Sequence, residues 1–366
     1  MKTTPLYHTH CQLGATFAEK HKGWNLAAYF TDAASENRAV RNNVGIADLS
    51  YQGRLRLTGE DRAKFLHRII SNDVESLSVG QGNYATLLTN RGKIIADMNV
   101  HVLEDAIGLN TAPETTDSLF KELDKYIIAD DVELSVLTAE TGAIAVHGPK
   151  SPELVQSVLG ITDLGTLVQH HNRFCNVDFP QGWQWIVCVR ADRTGEIGYH
   201  LYTSADALAW LWERLIVEGE AVQPVGWDAL EALRIEAGIP RYGTELTDTV
   251  IPLEAELEHA INFEKGCYIG QEIVARMKYR GHPNRLLRGL EIHDANVPEQ
   301  NNRIFSNEKE VGWITSATYS PTFEKPIALG YVRTAVTMEG SRVQIETSAG
   351  RVNGTVVLLP FLTNDA

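Results

Sequence analysis

The chain has 366 residues, 43% of them hydrophobic and 22% charged, which is too long for one simple core and ordinary for a globular protein of two or three domains. A formal net charge of −14 excludes non-specific nucleic-acid binding, which needs a basic footprint. No apolar run reaches the ~18 residues of a transmembrane helix. The N-terminus carries neither a signal core nor transit character, and Cys11, Cys175, Cys188 and Cys267 lack metal-ligand or disulfide spacing, so a cytoplasmic protein with no membrane contact and no metal site is expected.

In chain order, residues 36–47 suggest a helix ending near Gly45, and 54–58 alternate as a strand. Residues 61–70 form an amphipathic pattern with Ala63, Phe65, Leu66, Ile69 and Ile70 on the buried side. Strands at 84–88 and 93–102 are joined by a turn at Thr89-Asn90-Arg91-Gly92. A helix at 116–126 and a strand at 131–137 complete a strand–helix–strand–strand–helix–strand unit over 52–137, an α+β layered arrangement. A second such unit starts near Thr141, with strands at 143–146, 185–189 and 199–202 and helices at 151–159, 205–218 and 227–237. The last of these stops at Gly238 with Pro240 beyond it. From Leu286 onward, short alternating strands at 311–316, 328–333, 342–346 and 352–358 fit a small β-barrel or sandwich.

Three segments could carry chemistry. Asp97 sits on an otherwise apolar strand beside Ile95 and Asn99 on one face, which is costly unless the acid is hydrogen-bonded or opens into a cleft; the alternative is a polar outer face. The turn from Asp192 to Tyr199 presents Glu196 near two glycines, where a carboxylate could accept paired hydrogen bonds from an aminopyrimidine edge or could simply be exposed. The third is Lys265-Gly266-Cys267-Tyr268-Ile269-Gly270-Gln271-Glu272, followed by Arg276. A helix over 269–279 would put Cys267 near unpartnered amides, capped at Gly270, with Glu272 and Arg276 able to pair across one turn. Lys265 and Arg276 would then favour a thiolate, although free cysteines more commonly pack. Arg276, Lys278, Arg280, Arg285 and Arg288 form a basic patch suited to a small anion, a partner or solvent. No catalytic triad, phosphate loop or His-Glu-x-x-His motif is present.

Over nearly its whole length the chain resembles the tetrahydrofolate-dependent aminomethyltransferase superfamily, the fold of the glycine cleavage T-protein. The residues that carry this resemblance are Thr4-Pro5-Leu6-Tyr7, Leu13-Gly14-Ala15, Ala39-Val40-Arg41-Asn42, Asp48-Leu49-Ser50, Ser71-Asn72-Asp73, Arg193 to Tyr199, Arg234-Ile235-Glu236-Ala237, Ile314-Thr315-Ser316 and Ser320-Pro321-Thr322. The Lys-Gly-Cys-Tyr-x-Gly-Gln-Glu segment looks like the signature of the YgfZ-type folate-binding proteins within that superfamily.

The resemblance implies an α+β folate-binding fold with a C-terminal small β-barrel. One part would be built from 1–51 and 138–283, a subdomain at 52–137 would contribute to the folate cleft, and the barrel would span 284–366. It implies tetrahydrofolate or a derivative as cofactor, with Asp97 near the reactive nitrogens, Glu196 on the pterin edge, and Tyr84, Asn110 and Tyr242 at further folate contacts. It implies a maturation role for iron–sulfur client or assembly proteins that depends on Cys267. A tetrahydrofolate-dependent aminomethyltransferase is the alternative. Departures from the T-protein pattern fall at Tyr51-Gln52, Ala96, Arg193, Leu230 and His259.

Overall fold

A computed structural model describes residues 1–21, 23–180 and 182–362. Two mixed α/β layers face each other, and a closed barrel lies at the C-terminus.

The first sheet runs in the order Asn172–Phe179, Gly182–Arg190, Gly198–Ser204, Thr141–His147, Gly45–Asp48 and Gln223–Pro224. Neighbours are antiparallel except the last pair. Its central strand is buried on both sides, and the pleat sorts its side chains by size. Ile144 and Val146 pack with Leu154, Leu208, Leu211 and Trp212, from helices Ser151–Leu159 and Leu208–Glu218. Ala143 and Ala145 face the other way, toward Val40, Ala229 and Leu233 of helices Ala33–Asn42 and Trp227–Glu236. Alanines on that face leave room above the sheet for a cavity.

The second sheet, ordered Gly82–Leu88, Ile94–Val102, Ile107–Thr111, Gly53–Thr58 and Glu133–Val136, is wholly antiparallel. Helices Arg62–His67 and Thr116–Asp124 cover one face, where Phe65, Leu66, Leu119 and Leu123 meet Ala96, Met98 and Val100. Period-2 alternation therefore sends Asp97 and Asn99 to the opposite face. The Thr89–Gly92 turn forms as expected, with Gly92 at φ +69° and its N–H donating to Thr89 O.

The barrel closes through Arg285–Ile292, Lys325–Arg333, Lys309–Ser320, Arg303–Ser306, Arg342–Thr347 and Gly350–Val357. Leu290, Ile304, Ile314, Val332, Ile345 and Val356 fill it.

Some expectations are corrected. The first long helix, begun by Asp32 accepting from Ser35 N–H at 2.8 Å, ends at Asn42 and does not reach Gly45. Gly45 opens a strand, because its backbone pairs with His147 and Gln223 while Val40 and Val225 close over the space a side chain would need. Strands Ile107–Thr111 and Asn172–Phe179 and the hairpin Thr16–His21/Trp24–Tyr29 are additional. Among the described residues no helix is long and apolar enough to cross a membrane.

Candidate functional site

A cavity of about 120 Å³ lies between the two sheets. Asp97, Asn99 and Asn110 enter from the second sheet, where Asn99 and Asn110 are cross-strand partners. His147 and His200 enter from the first sheet, over Ala145. Helix Trp227–Glu236 and the segment after it contribute Trp227, Glu231, Arg234, Arg241 and Tyr242. A larger cavity of about 450 Å³ is lined by Tyr84, His170, His259 and Pro240, and Arg193 lines both cavities.

Asp97 is 9% exposed, and the cleft reading of its strand is the one realised. Its Oδ2 accepts the Tyr84 hydroxyl at 2.8 Å, while its buried Oδ1 has no partner among the described residues. Burial pushes the Asp97 carboxyl above its ordinary range, against the Tyr84 hydrogen bond and the charge of Arg193, which favour the carboxylate. Tyr84 is itself sandwiched. His170 stacks at 6.3 Å between centroids with planes 14° apart, and His259 at 5.6 Å with planes 19° apart. All three rings line the larger cavity.

Charge around the smaller cavity is paired off with care. Glu231 receives Arg234 at 2.6 Å and Arg241 at 3.3 Å; burial disfavours its charged form, but those cations hold its carboxyl down at about 2. Arg234 also meets Glu245 at 3.1 Å and Ser316 at 2.8 Å, which ties the cavity floor to the barrel. Glu114 lies 2.5 Å from His21, whose ring stacks on Tyr51 and meets Trp227 edge-on at 4.4 Å. Burial pushes the histidines down, His147 and His170 both to about 3. Neutral imidazoles therefore line the space around Arg193.

The structure brings Asp97, Asn110 and Tyr242 into one cavity and joins Tyr84 to Asp97 by a hydrogen bond. Burial, then the charge of Asp248, pushes Tyr242 up to about 12. Glu196 stands apart: it lines neither cavity and accepts Arg41 at 3.0 Å, and the same guanidinium reaches Glu236 at 2.6 Å. Its turn points the carboxylate toward helix Ala33–Asn42, where Arg41 holds it.

The cysteine segment also behaves differently from expectation. Helix Gln271–Arg280 forms, with Gly270 before it at φ +84°. Cys267 is exposed and lines neither cavity. The Lys265 amine donates to the carbonyls of His67, Ile70 at 2.7 Å and Asn72 at 2.9 Å. Burial brings that amine down to about 8. Lys265 thus serves carbonyls at the end of a helix and the turn after it. Tyr268 is buried in the core beneath the barrel, whereas Gly266, Glu272 and Arg276 are exposed, and the Glu272–Arg276 pair is not formed. In the basic patch, Lys278, Arg285 and Arg288 are matched by Glu258, Glu254 and Glu256. Among the described residues no group of three or more His, Cys, Asp or Glu is placed to hold a metal.

Sequence reasoning missed Arg193, His147, His200, Trp227, Glu231 and Arg241 as cavity residues. The signal that exposed Asp97, a polar residue on an apolar strand, was available for His147 and His200 as well. The others converge only through the fold.

Comparison with known proteins agrees with this architecture. Residues 6–265 match the GCVT N-terminal domain, and residues 285–362 match the glycine cleavage T-protein C-terminal barrel domain. A protein of Geobacillus kaustophilus (strain HTA426) named aminomethyltransferase is 32% identical over 365 residues, covering 99% of this chain and 98% of its own. One of Aquifex aeolicus (strain VF5), with the same name, is 33% identical over 368 residues, covering 99% and 96%. The crystal structure of the glycine cleavage system aminomethyltransferase T from Bartonella henselae superposes with a TM-score of 0.89 at 26% identity, covering 99% of this chain and 98% of that one. These full-length relatives overturn the expectation of a YgfZ-type iron–sulfur maturation factor; they carry the name of the alternative reading. The fold uses the lysine of the cysteine motif for backbone carbonyls and leaves its thiol outside both cavities. The chain belongs to the glycine cleavage T-protein family.

Proposed function

We propose that the protein is a tetrahydrofolate-dependent aminomethyltransferase. The observation that carries this reading is Asp97: a buried carboxyl at a cavity, held on one oxygen by Tyr84 and open on the other. The residues present fit a folate. Tyr84, His170 and His259 give the larger cavity aromatic surface for a planar heterocycle, and the open Asp97 oxygen suits one of its polar atoms. Asn110 and Tyr242 supply further polar contacts on the same cavity. Tetrahydrofolate would supply the nitrogens that take up the one-carbon unit.

The chain's own residues supply position and protons. A carboxyl raised by burial keeps its proton to higher pH than a solvated aspartate, so Asp97 can give one to a departing amine and recover it afterwards. Tyr84 fixes which oxygen is free for that exchange.

Titration calorimetry with tetrahydrofolate tests the binding half of this proposal. A dissociation constant of about 1–100 μM is expected for the wild type, within the usual range for enzyme substrates, and at least ~10-fold weaker binding after Tyr84→Ala. Absence of binding by the wild type would defeat it.

A further inference from the structure

Apart from the two cavities of the site, a third hollow of about 100 Å³ is lined by strands of both sheets. It shares only Asn110 with the cavity around Asp97 and no residue with the larger one. One wall belongs to the first sheet, where Val187 and Tyr202 are cross-strand partners and Trp185 lies two residues away on the same face. Leu103 and Leu137 add apolar surface. The floor is Gly108, which is the cross-strand partner of His101 on the second sheet. A carbon added at Gly108 would meet only His101, no nearer than 3.9 Å, so the missing side chain is what leaves the space open.

The polar groups around this hollow are occupied, with one exception. The Arg54 guanidinium donates to the carbonyls of Ser50, Gln52, Thr138 and Thr141 and to the Thr141 hydroxyl. Arg56 pairs with Asp105 at 2.7 Å, and the Tyr202 hydroxyl lies 3.5 Å from His200. His101 is the exception: it is buried, and neither ring nitrogen has a hydrogen bond among the described residues. A carbon built at Gly82 would fall 3.4 Å from His101 Nδ1 and 2.5 Å from the His170 carbonyl oxygen, so Nδ1 looks into backbone on the carbonyl's side. A carbonyl nearby favours the tautomer with its proton on Nδ1, which leaves Nε2 as an acceptor. A buried acceptor without a donor carries a cost that a ligand's O–H or N–H relieves.

These walls select a ligand by size and polarity. They present no unpaired charge, so the ligand is neutral. An enclosed apolar cavity of ~150 Å³ takes one benzene, and a smaller hollow open to solvent likewise has room for a single ring. We propose that the hollow binds a small neutral aromatic molecule of the phenol or indole class, its ring against Trp185 and Tyr202 over Gly108 and its O–H or N–H donated to His101 Nε2. This site is independent of the transferase reading and of the two cavities on which that reading rests.

The test is a fluorine NMR titration of the full chain with 4-fluorophenol and 4-fluoroanisole, the second lacking a donor. The phenol is expected to bind with a dissociation constant of about 1 mM, ordinary for one small ring, and the anisole ~5-fold or more weakly. His101→Leu should bind the two alike. Gly108→Val fills the floor at a position with room for a side chain and should abolish binding of both, with its melting curve checking that it folds. The His101 ring-proton resonance, identified by its loss in His101→Leu, should shift with the phenol in the wild type, and this holds whether or not the valine variant folds. Equal affinity for phenol and anisole, an unshifted His101 resonance, or binding that survives in folded Gly108→Val would each overturn the proposal, as would no binding by the wild type up to ~10 mM. Displacement of the phenol by tetrahydrofolate would place the ring in the folate cavities and refute the separate site. An aromatic side chain of a partner protein is the other source of this chemistry: N-acetyltyrosinamide binding more tightly than 4-fluorophenol would assign the hollow to such a side chain and remove the small-molecule assignment.

Discussion

Lowering the pH should unfold this protein through its buried histidines, and His101 allows the effect to be isolated. It is 5% exposed on the Ile94–Val102 strand, lines neither of the two functional cavities, and has no partner for either ring nitrogen among the described residues. Burial lowers it to about 4 from an ordinary 6.5. Because the folded value lies below the unfolded one, the unfolded chain binds more protons in between, and stability present above pH 6.5 is lost as the pH falls. One such group costs ~1.4 kcal/mol per pH unit, or about 3 kcal/mol across its window. His147 and His170, both near 3, add the same slope, so the three together remove ~4 kcal/mol per unit. Against a typical total of about 5–15 kcal/mol, a protein near the low end of that range is expected to begin acid unfolding roughly one unit below pH 6.5. Urea titrations at half-unit steps from pH 7.5 to 4.5 give the slope directly. His101→Leu should flatten it by ~1.4 kcal/mol per unit, because leucine does not titrate. An unchanged slope in that variant would refute the reasoning.

Asp97→Asn should be no less stable than wild type at pH 7.5 and should gain relative stability as the pH rises. A carboxyl whose folded value is raised costs stability once the pH climbs through that window, and the amide does not ionise; melting curves at pH 5 and 8 check the sign. Lys265→Met leaves three backbone carbonyls without their shared donor and should lower stability by about 1–3 kcal/mol, measured by urea unfolding. Cys267→Ser, by contrast, should leave both stability and tetrahydrofolate binding within about twofold of wild type, because the thiol is exposed outside both cavities. Gly270→Ala should destabilise by at least ~1 kcal/mol, since the backbone sits at φ +84° and the added carbon would lie 2.6 Å from Thr89 O.

The sequence made Asp97 visible because period-2 alternation is a local rule, and an acid between Ala96 and Met98 breaks the apolar pattern within three residues. The barrel and the Gly238 helix stop were legible for similar local reasons, with Gly238 at φ +65° as its position implies. The 107–111 strand was not, because its five residues carry a glycine and an asparagine and gain strand character only from pairing on both sides. Lys265 shows the limit more sharply. Beside Cys267 in sequence it reads as an activator of a thiolate, yet the carbonyls that claim its amine lie nearly two hundred residues earlier in the chain. Arg193 was legible only as part of a turn, because its place on both cavities appears only once the fold brings them together.

The central claim is best tested by turnover with tetrahydrofolate and an aminomethylated lipoyl carrier, following methylenetetrahydrofolate. Wild-type protein should form it, and Asp97→Asn should slow it by about 10²-fold or more, the scale of losing a positioned proton donor, without abolishing folate binding. No product from the wild type with a competent carrier, or an Asp97→Asn rate equal to wild type, would contradict the assignment.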